Sequence, residues 1–226
     1  MFSIIYLHEI KTWFKKPAFY IYAGIMFLLS IGLSALAVGV FDSDNATVTS
    51  AIKLNSAVGI YGLLGFFAIF TYLLIPSIIG GTIQRDFKNN THYVLYSYPL
   101  TKVNYLFAKF CAGMTITLLI IIASAIGITL GFYLPGANAD LVGPFKIMNY
   151  LQPFLVYIIP NVFFYGAIVF AITAFLRNVN IGFMFVLVMI ILQFAAQSSL
   201  PTMDDTYWVE LLEPTGDSAT YNQIRD

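Results

Sequence analysis

The chain has 226 residues, of which 59% are hydrophobic and 10% charged, with a mean hydropathy of +0.82. A soluble domain carries about 25% charged residues, so a water-soluble fold is excluded. Eleven basic and eleven acidic side chains balance, and no net positive charge points to a nucleic-acid partner. The single cysteine, Cys111, allows no intrachain disulfide and makes no metal site alone.

Residues 2–16 read as an amphipathic helix lying on the membrane. Phe2, Ile5, Tyr6, Ile10, Trp13 and Phe14 share one face at helical spacing, with His8, Lys11 and Lys15 opposite. Glu9 lands close to the apolar face, and we expect its carboxylate to reach water by snorkelling. The competing reading is a buried polar contact to a cytoplasmic loop or a partner. Pro17 ends this helix and opens the next. The elbow residues singled out are Glu9, Trp13, Lys15 and Lys16.

Five long uncharged stretches follow: Pro17 to Phe41, Leu54 to Gln84, Phe110 to Ala139, Ile147 to Leu176 and Asn178 to Met203. Each exceeds the roughly 20 apolar residues that cross about 30 Å of hydrocarbon. Backbone amides facing lipid must bond within their own segment, so these stretches are helices. The predicted spans are about 17–41, 56–84, 108–134, 149–176 and 180–199, making an all-α polytopic bundle. The transmembrane domain covers 17–203, a cytoplasmic segment covers 85–107, and 204–226 is an extracytoplasmic tail. Ala35-Leu36-Ala37 fits a cleavage pattern, but the apolar run is too long for a signal peptide.

Eight of the eleven basic residues, including Lys11, Arg85, Lys102, Lys109 and Arg177, fall on one side of these spans. The positive-inside rule places that side, and the N-terminus, in the cytoplasm. Asp42, Asp44, Asp140 and the acidic residues from Asp204 to Asp217 fall on the other. The second span carries Pro76 and Gly80-Gly81, and the fourth carries Pro153 and Pro160. Proline lacks a backbone donor and permits a kink, so Pro76, Gly80 and Gly81 are a candidate hinge. Polar side chains within spans, among them Thr115, Thr117, Ser124, Thr129, Thr173, Gln193 and Gln197, are expected to bond between helices or to their own turns. Ser30, Gly32, Ser34, Ala35 and Gly39 offer small surfaces for close helix approach.

No Asp, Glu, Lys, Arg or His lies in the middle of a span, whereas ion-coupled carriers usually place one there. Nucleotide-binding, zinc-protease and nucleophile-elbow motifs are also absent. No catalytic role or resident cofactor is expected, and uphill transport would draw its energy from another polypeptide.

Between the second and third spans runs Arg85-Asp86-Phe87-Lys88-Asn89-Asn90-Thr91-His92-Tyr93-Val94-Leu95-Tyr96-Ser97-Tyr98-Pro99-Leu100-Thr101-Lys102. It reads as a short amphipathic helix presented by two membrane helices, with Thr101 as the cap of the third span. Asp86, Asn90-Thr91, Leu95-Tyr96, Pro99 and Ala108-Lys109 resemble, with conservative departures, the cytoplasmic segment of ABC-2 type transporter permeases. The Lys15-Lys16-Pro17 elbow and the order of spans agree with that family across nearly the whole chain.

The resemblance implies a coupling helix docked on an ATP-binding subunit, with Arg85, Asp86, Lys88, Thr91, Leu95, Pro99 and Lys102 at the contact. It implies ATP and Mg in that partner, pairing with a second permease copy or homologous half, and residence in a bacterial inner membrane. The family has six spans where this chain has five. Leu211-Leu212-Glu213-Pro214-Thr215-Gly216 is similar to the segment after the fifth span in permeases fused to M1-family aminopeptidases. This implies a fragment of a longer protein. The leading expectation is an exporter subunit; the alternative is a membrane anchor or scaffold for a fused or associated peptidase.

Overall fold

A computed structural model describes residues 2–40, 53–89, 102–199, 213–217, 220, 221 and 224. Among them the protein is an all-α bundle without strands. Helix α1 (Phe2–Phe14) precedes five helices long and apolar enough to cross a membrane. These are α2 (Pro17–Ala37), α3 (Ala57–Lys88), α4 (Lys102–Phe132), α5 (Ile147–Leu176) and α6 (Val179–Ser199). The chain is a multi-pass membrane protein, and successive spans run antiparallel.

Local chemistry sets most of the boundaries. Pro17 starts α2 in the first turn, where its missing N–H costs nothing. Ser56 caps α3 by accepting from the Gly59 amide at 3.2 Å. Arg177 ends α5 in the left-handed region with φ 54°, and Asn178 accepts from the Asn180 amide at 3.0 Å as α6 begins. Helices α3 and α4 extend past the predicted spans, absorbing residues 85–88 and 102–107.

Two spans contain a wide π turn, at Pro76–Gly80 in α3 and Phe154–Ile158 in α5. The Gly81 amide reaches the Pro76 carbonyl, and the Ile159 amide reaches that of Phe154. Prolines flank or open both turns. A proline gives no hydrogen bond and crowds the carbonyl four residues back, and widening the helix is one way to relieve that crowding.

Packing is closest between α2 and α4, where small residues face each other. A Cβ added at Gly127 would lie 1.9 Å from Ser30 Oγ and 2.6 Å from the Phe27 carbonyl oxygen. At Gly131 it would lie 1.9 Å from Ser34 Oγ and 2.7 Å from the Ile31 oxygen. Paired small residues let membrane helices touch through their backbones. Ser34 stays bonded to its own helix through the Ser30 carbonyl at 2.7 Å. The outward faces of α2 and α6 are apolar and exposed, as at Leu28, Met184 and Ile191, which suits contact with lipid.

At the acidic end, Asn55 joins the α2–α3 and α4–α5 connections. It donates to the Gly143 carbonyl at 2.6 Å, accepts from the Gly143 amide at 2.8 Å, and its own carbonyl accepts from Asn149 at 2.8 Å. Asn55 is fully buried, and these bonds compensate for its desolvation.

Candidate functional site

At the basic end, α1 lies against α4 and meets the last turns of α3. Four ionised side chains from the three helices converge there. Glu9 accepts from Arg85 Nη2 at 2.6 Å and from Lys109 Nζ at 2.9 Å. Lys109 also pairs with Asp86 and donates to the Thr82 carbonyl at 3.0 Å. Its three ammonium hydrogens thus have three acceptors. Tyr105 donates to Asp86. Two acids and two bases cancel, and Glu9 and Lys109 are only 3% exposed each. A buried charge is tolerated when paired and hydrogen-bonded.

Glu9 therefore does not snorkel, and that expectation is corrected. Burial raises its pKa, but the Lys109 and Arg85 cations outweigh burial and hold it below the ordinary value of 4.5. Lys16, over the Trp13 ring at 4.2 Å, is held below the usual lysine value. Burial is the larger cause, followed by Arg85, against the pull of Glu9.

The lowered Glu9 value carries a sign. Its stabilisation is complete above the unfolded pKa and disappears as pH falls through the lower folded one. Glu9→Gln is expected to reduce the melting temperature at neutral pH. The gap from wild type is expected to close below about pH 4.5, which a series of melts in detergent from pH 7 to 3 checks.

The other predicted site residues separate into groups. Arg85 and Asp86 turn inward on α3, whereas Lys88 and Lys102 are exposed at the facing ends of α3 and α4. Thr91, Leu95 and Pro99 lie outside the described residues. Trp13 of α1 is buried, and Lys15, just past the end of that helix, is exposed. The face turned toward α4 includes Ile5, Tyr6, Glu9 and Trp13, while Ile4, Leu7 and Phe14 point outward. Tyr6 is bonded to Thr115 of α4 at 2.9 Å. The expected apolar face is kept at Phe2, Ile5, Tyr6, Ile10 and Trp13, only Phe14 leaves it, and Glu9 joins it through its ionic partners.

In the candidate hinge, Pro76 and Gly80 are buried. A Cβ at Gly80 would come within 2.9 Å of Thr173 Oγ1, whereas Gly81 has open space. Lys109 enters the sequence analysis through charge asymmetry and a motif, yet a lysine eight residues into an apolar helix is itself a signal of a buried partner.

The opposite end holds a second constellation that the sequence reading did not assemble. Tyr61 and Tyr72 of α3, Tyr157 and Tyr165 of α5, and Gln193 and Gln197 of α6 line a cavity of about 280 Å³. Thr215 and Asp217 of segment 213–217 also line it. Gln193 donates to Glu213 at 2.9 Å, Asn161 donates to the Thr215 carbonyl at 3.1 Å, and Gln197 donates to Asp217 at 3.0 Å. Thr115, Thr117, Ser124 and Thr129 bond back to their own helix, as expected. Gln193 and Gln197 bind the tail instead.

Fold and site together define an all-α, multi-pass membrane protein with five spans among the described residues, whose helix ends are joined by a compensated charge cluster. No family model, curated protein or solved structure matches the chain. Among the described residues no group of His, Cys, Asp or Glu could hold a metal ion.

Proposed function

We propose that the chain is a permease subunit of an ABC-2 type transporter, driven by a separate ATP-binding subunit. The drive acts through the segment that joins α3 to α4. One observation carries this reading: Glu9, Arg85, Asp86 and Lys109 tie α1 to both helices from which that segment emerges. A force applied between residues 89 and 102 therefore reaches three helices as one block. The basic end faces the cytoplasm of a bacterial cell in this reading, and a second copy or homologous half completes the transporter.

Bending, where it occurs, is assigned to Gly81, which has room, while Pro76 and Gly80 are tightly packed. Asp86 is a poor probe of partner contact because its substitution disturbs the buried cluster. The test replaces Thr91, Leu95 and Pro99 together with Gly-Ser sequence, leaving the cluster intact. Loss of co-purification with the ATP-binding subunit, and of ATPase stimulation, is expected at unchanged melting temperature. Retention of both overturns the proposal.

A second reading, a membrane anchor for a peptidase, draws on the back-bonded hydroxyls, which leave few polar groups for a route through α4. It predicts a chain that purifies without an ATPase yet holds a peptidase domain.

A further inference from the structure

We infer that the tyrosine-walled cavity between α3, α5 and α6 binds a small organic ammonium ion. Five tyrosines line the space: Tyr61, Tyr72, Tyr157, Tyr165 and Tyr221. Tyr72 and Tyr165 stack at 4.5 Å, and Tyr61 meets Tyr157 edge to face at 5.0 Å. These contacts hold the rings in fixed orientations. The face of an aromatic ring is electronegative and attracts a cation within about 6 Å of its centre.

Asp217 supplies a full negative charge at the same wall. It accepts from Tyr61 and Gln197, but both are neutral donors and leave its charge uncancelled. No lysine or arginine among the described residues pairs with it, and the cavity lining contains no basic side chain. A carboxylate offers about four acceptor positions, so capacity remains for an ammonium group. The hydroxyl of fully buried Tyr165 has no partner among the described residues. An anion would find repulsion here, and a neutral apolar molecule would leave Asp217 uncompensated.

The volume of about 280 Å³ lies at the lower edge of ligand pockets, which selects a compact ion. Half-exposed Phe66 and Phe194 also line the space. The ammonium group could therefore arrive on a soluble amine or on a lipid headgroup. Binding requires no ATPase, so the inference stands or falls apart from the transport reading.

Choline and its uncharged isostere 3,3-dimethylbutanol are the probes, titrated calorimetrically into the full chain in nanodiscs. One set of discs contains phosphatidylglycerol alone and the other contains phosphatidylcholine. Choline is expected to bind in phosphatidylglycerol at least about tenfold more tightly than the isostere. Asp217→Asn preserves the size of the side chain and is expected to weaken choline by about tenfold or more. Tyr157→Leu removes a ring and is expected to weaken choline as well.

Equal choline affinity in both lipids identifies a soluble amine as the ligand. Loss of free-choline binding in phosphatidylcholine identifies the headgroup. Absence of choline binding in phosphatidylglycerol, or equal affinity for choline and its isostere, overturns the inference. The isostere comparison uses the unaltered chain and does not depend on any variant folding.

Discussion

Replacing Lys109 with methionine is expected to cost about 3–5 kcal/mol of stability, the range for breaking a buried ion pair by removing one partner. Methionine keeps most of the length and apolar volume, so packing changes little and the charge is what is lost. Glu9 then keeps Arg85, while Asp86 and the Thr82 carbonyl each lose the Lys109 ammonium. Thermal melts in detergent at neutral pH measure the effect. Adding Asp86→Asn to Lys109→Met is expected to cost less than the sum of the two single changes, because both remove the same Lys109–Asp86 pair. That non-additivity is the signature of a shared network. An unchanged melting temperature in the single variant would show that the four charges do not hold the helices together.

The second large effect is expected at the α2–α4 contact. Gly131→Ala puts a methyl group 1.9 Å from Ser34 Oγ and 2.7 Å from the Ile31 carbonyl oxygen. The hydroxyl can rotate away at the loss of its bond to Ser30, but a backbone oxygen cannot. Helix α2 must therefore withdraw along its length, and overpacking of this kind costs about 1–3 kcal/mol. Gly131→Val is expected to exceed that range.

Adding Ser34→Gly to Gly131→Ala relieves one of the two clashes and is expected to restore only part of the stability. Gly24→Ala is the control, since nothing lies within 4 Å of its added methyl and alanine is the better helix former. A Gly131→Ala protein as stable as the Gly24→Ala control would mean that α2 and α4 are not in backbone contact.

The spans were legible because membrane crossing depends on length and average apolarity, which a single stretch reveals. The fourth, Ile147–Leu176, has the predicted bounds of its apolar stretch. The charge cluster was not legible in the same way. Glu9, Arg85, Asp86 and Lys109 sit on three helices, and their meeting depends on azimuth and tilt, which hydropathy does not encode. Glu9 illustrates the limit: its position on the apolar face was readable, but whether it found water or a cation depended on α3 and α4.

The tyrosine cavity was hidden for a similar reason, with its walls drawn from α3, α5, α6 and the tail. Ser30 and Ser34 were readable as a small surface, yet their partners Gly127 and Gly131 gain meaning only once α2 and α4 are known to be neighbours.

The π turn at Pro76–Gly80 adds a residue to one turn of α3, and each residue advances a helix by about 100°. The two halves of α3 are consequently out of phase. One half directs Tyr61 and Tyr72 toward α5, and the other directs Arg85 and Asp86 toward α1 and α4. Forcing the same number of residues into strictly α-helical turns would swing the second pair through roughly a quarter of a revolution, whereas excising one residue would let the turn close in place. A single continuous rod thus serves two differently oriented interfaces at its opposite ends.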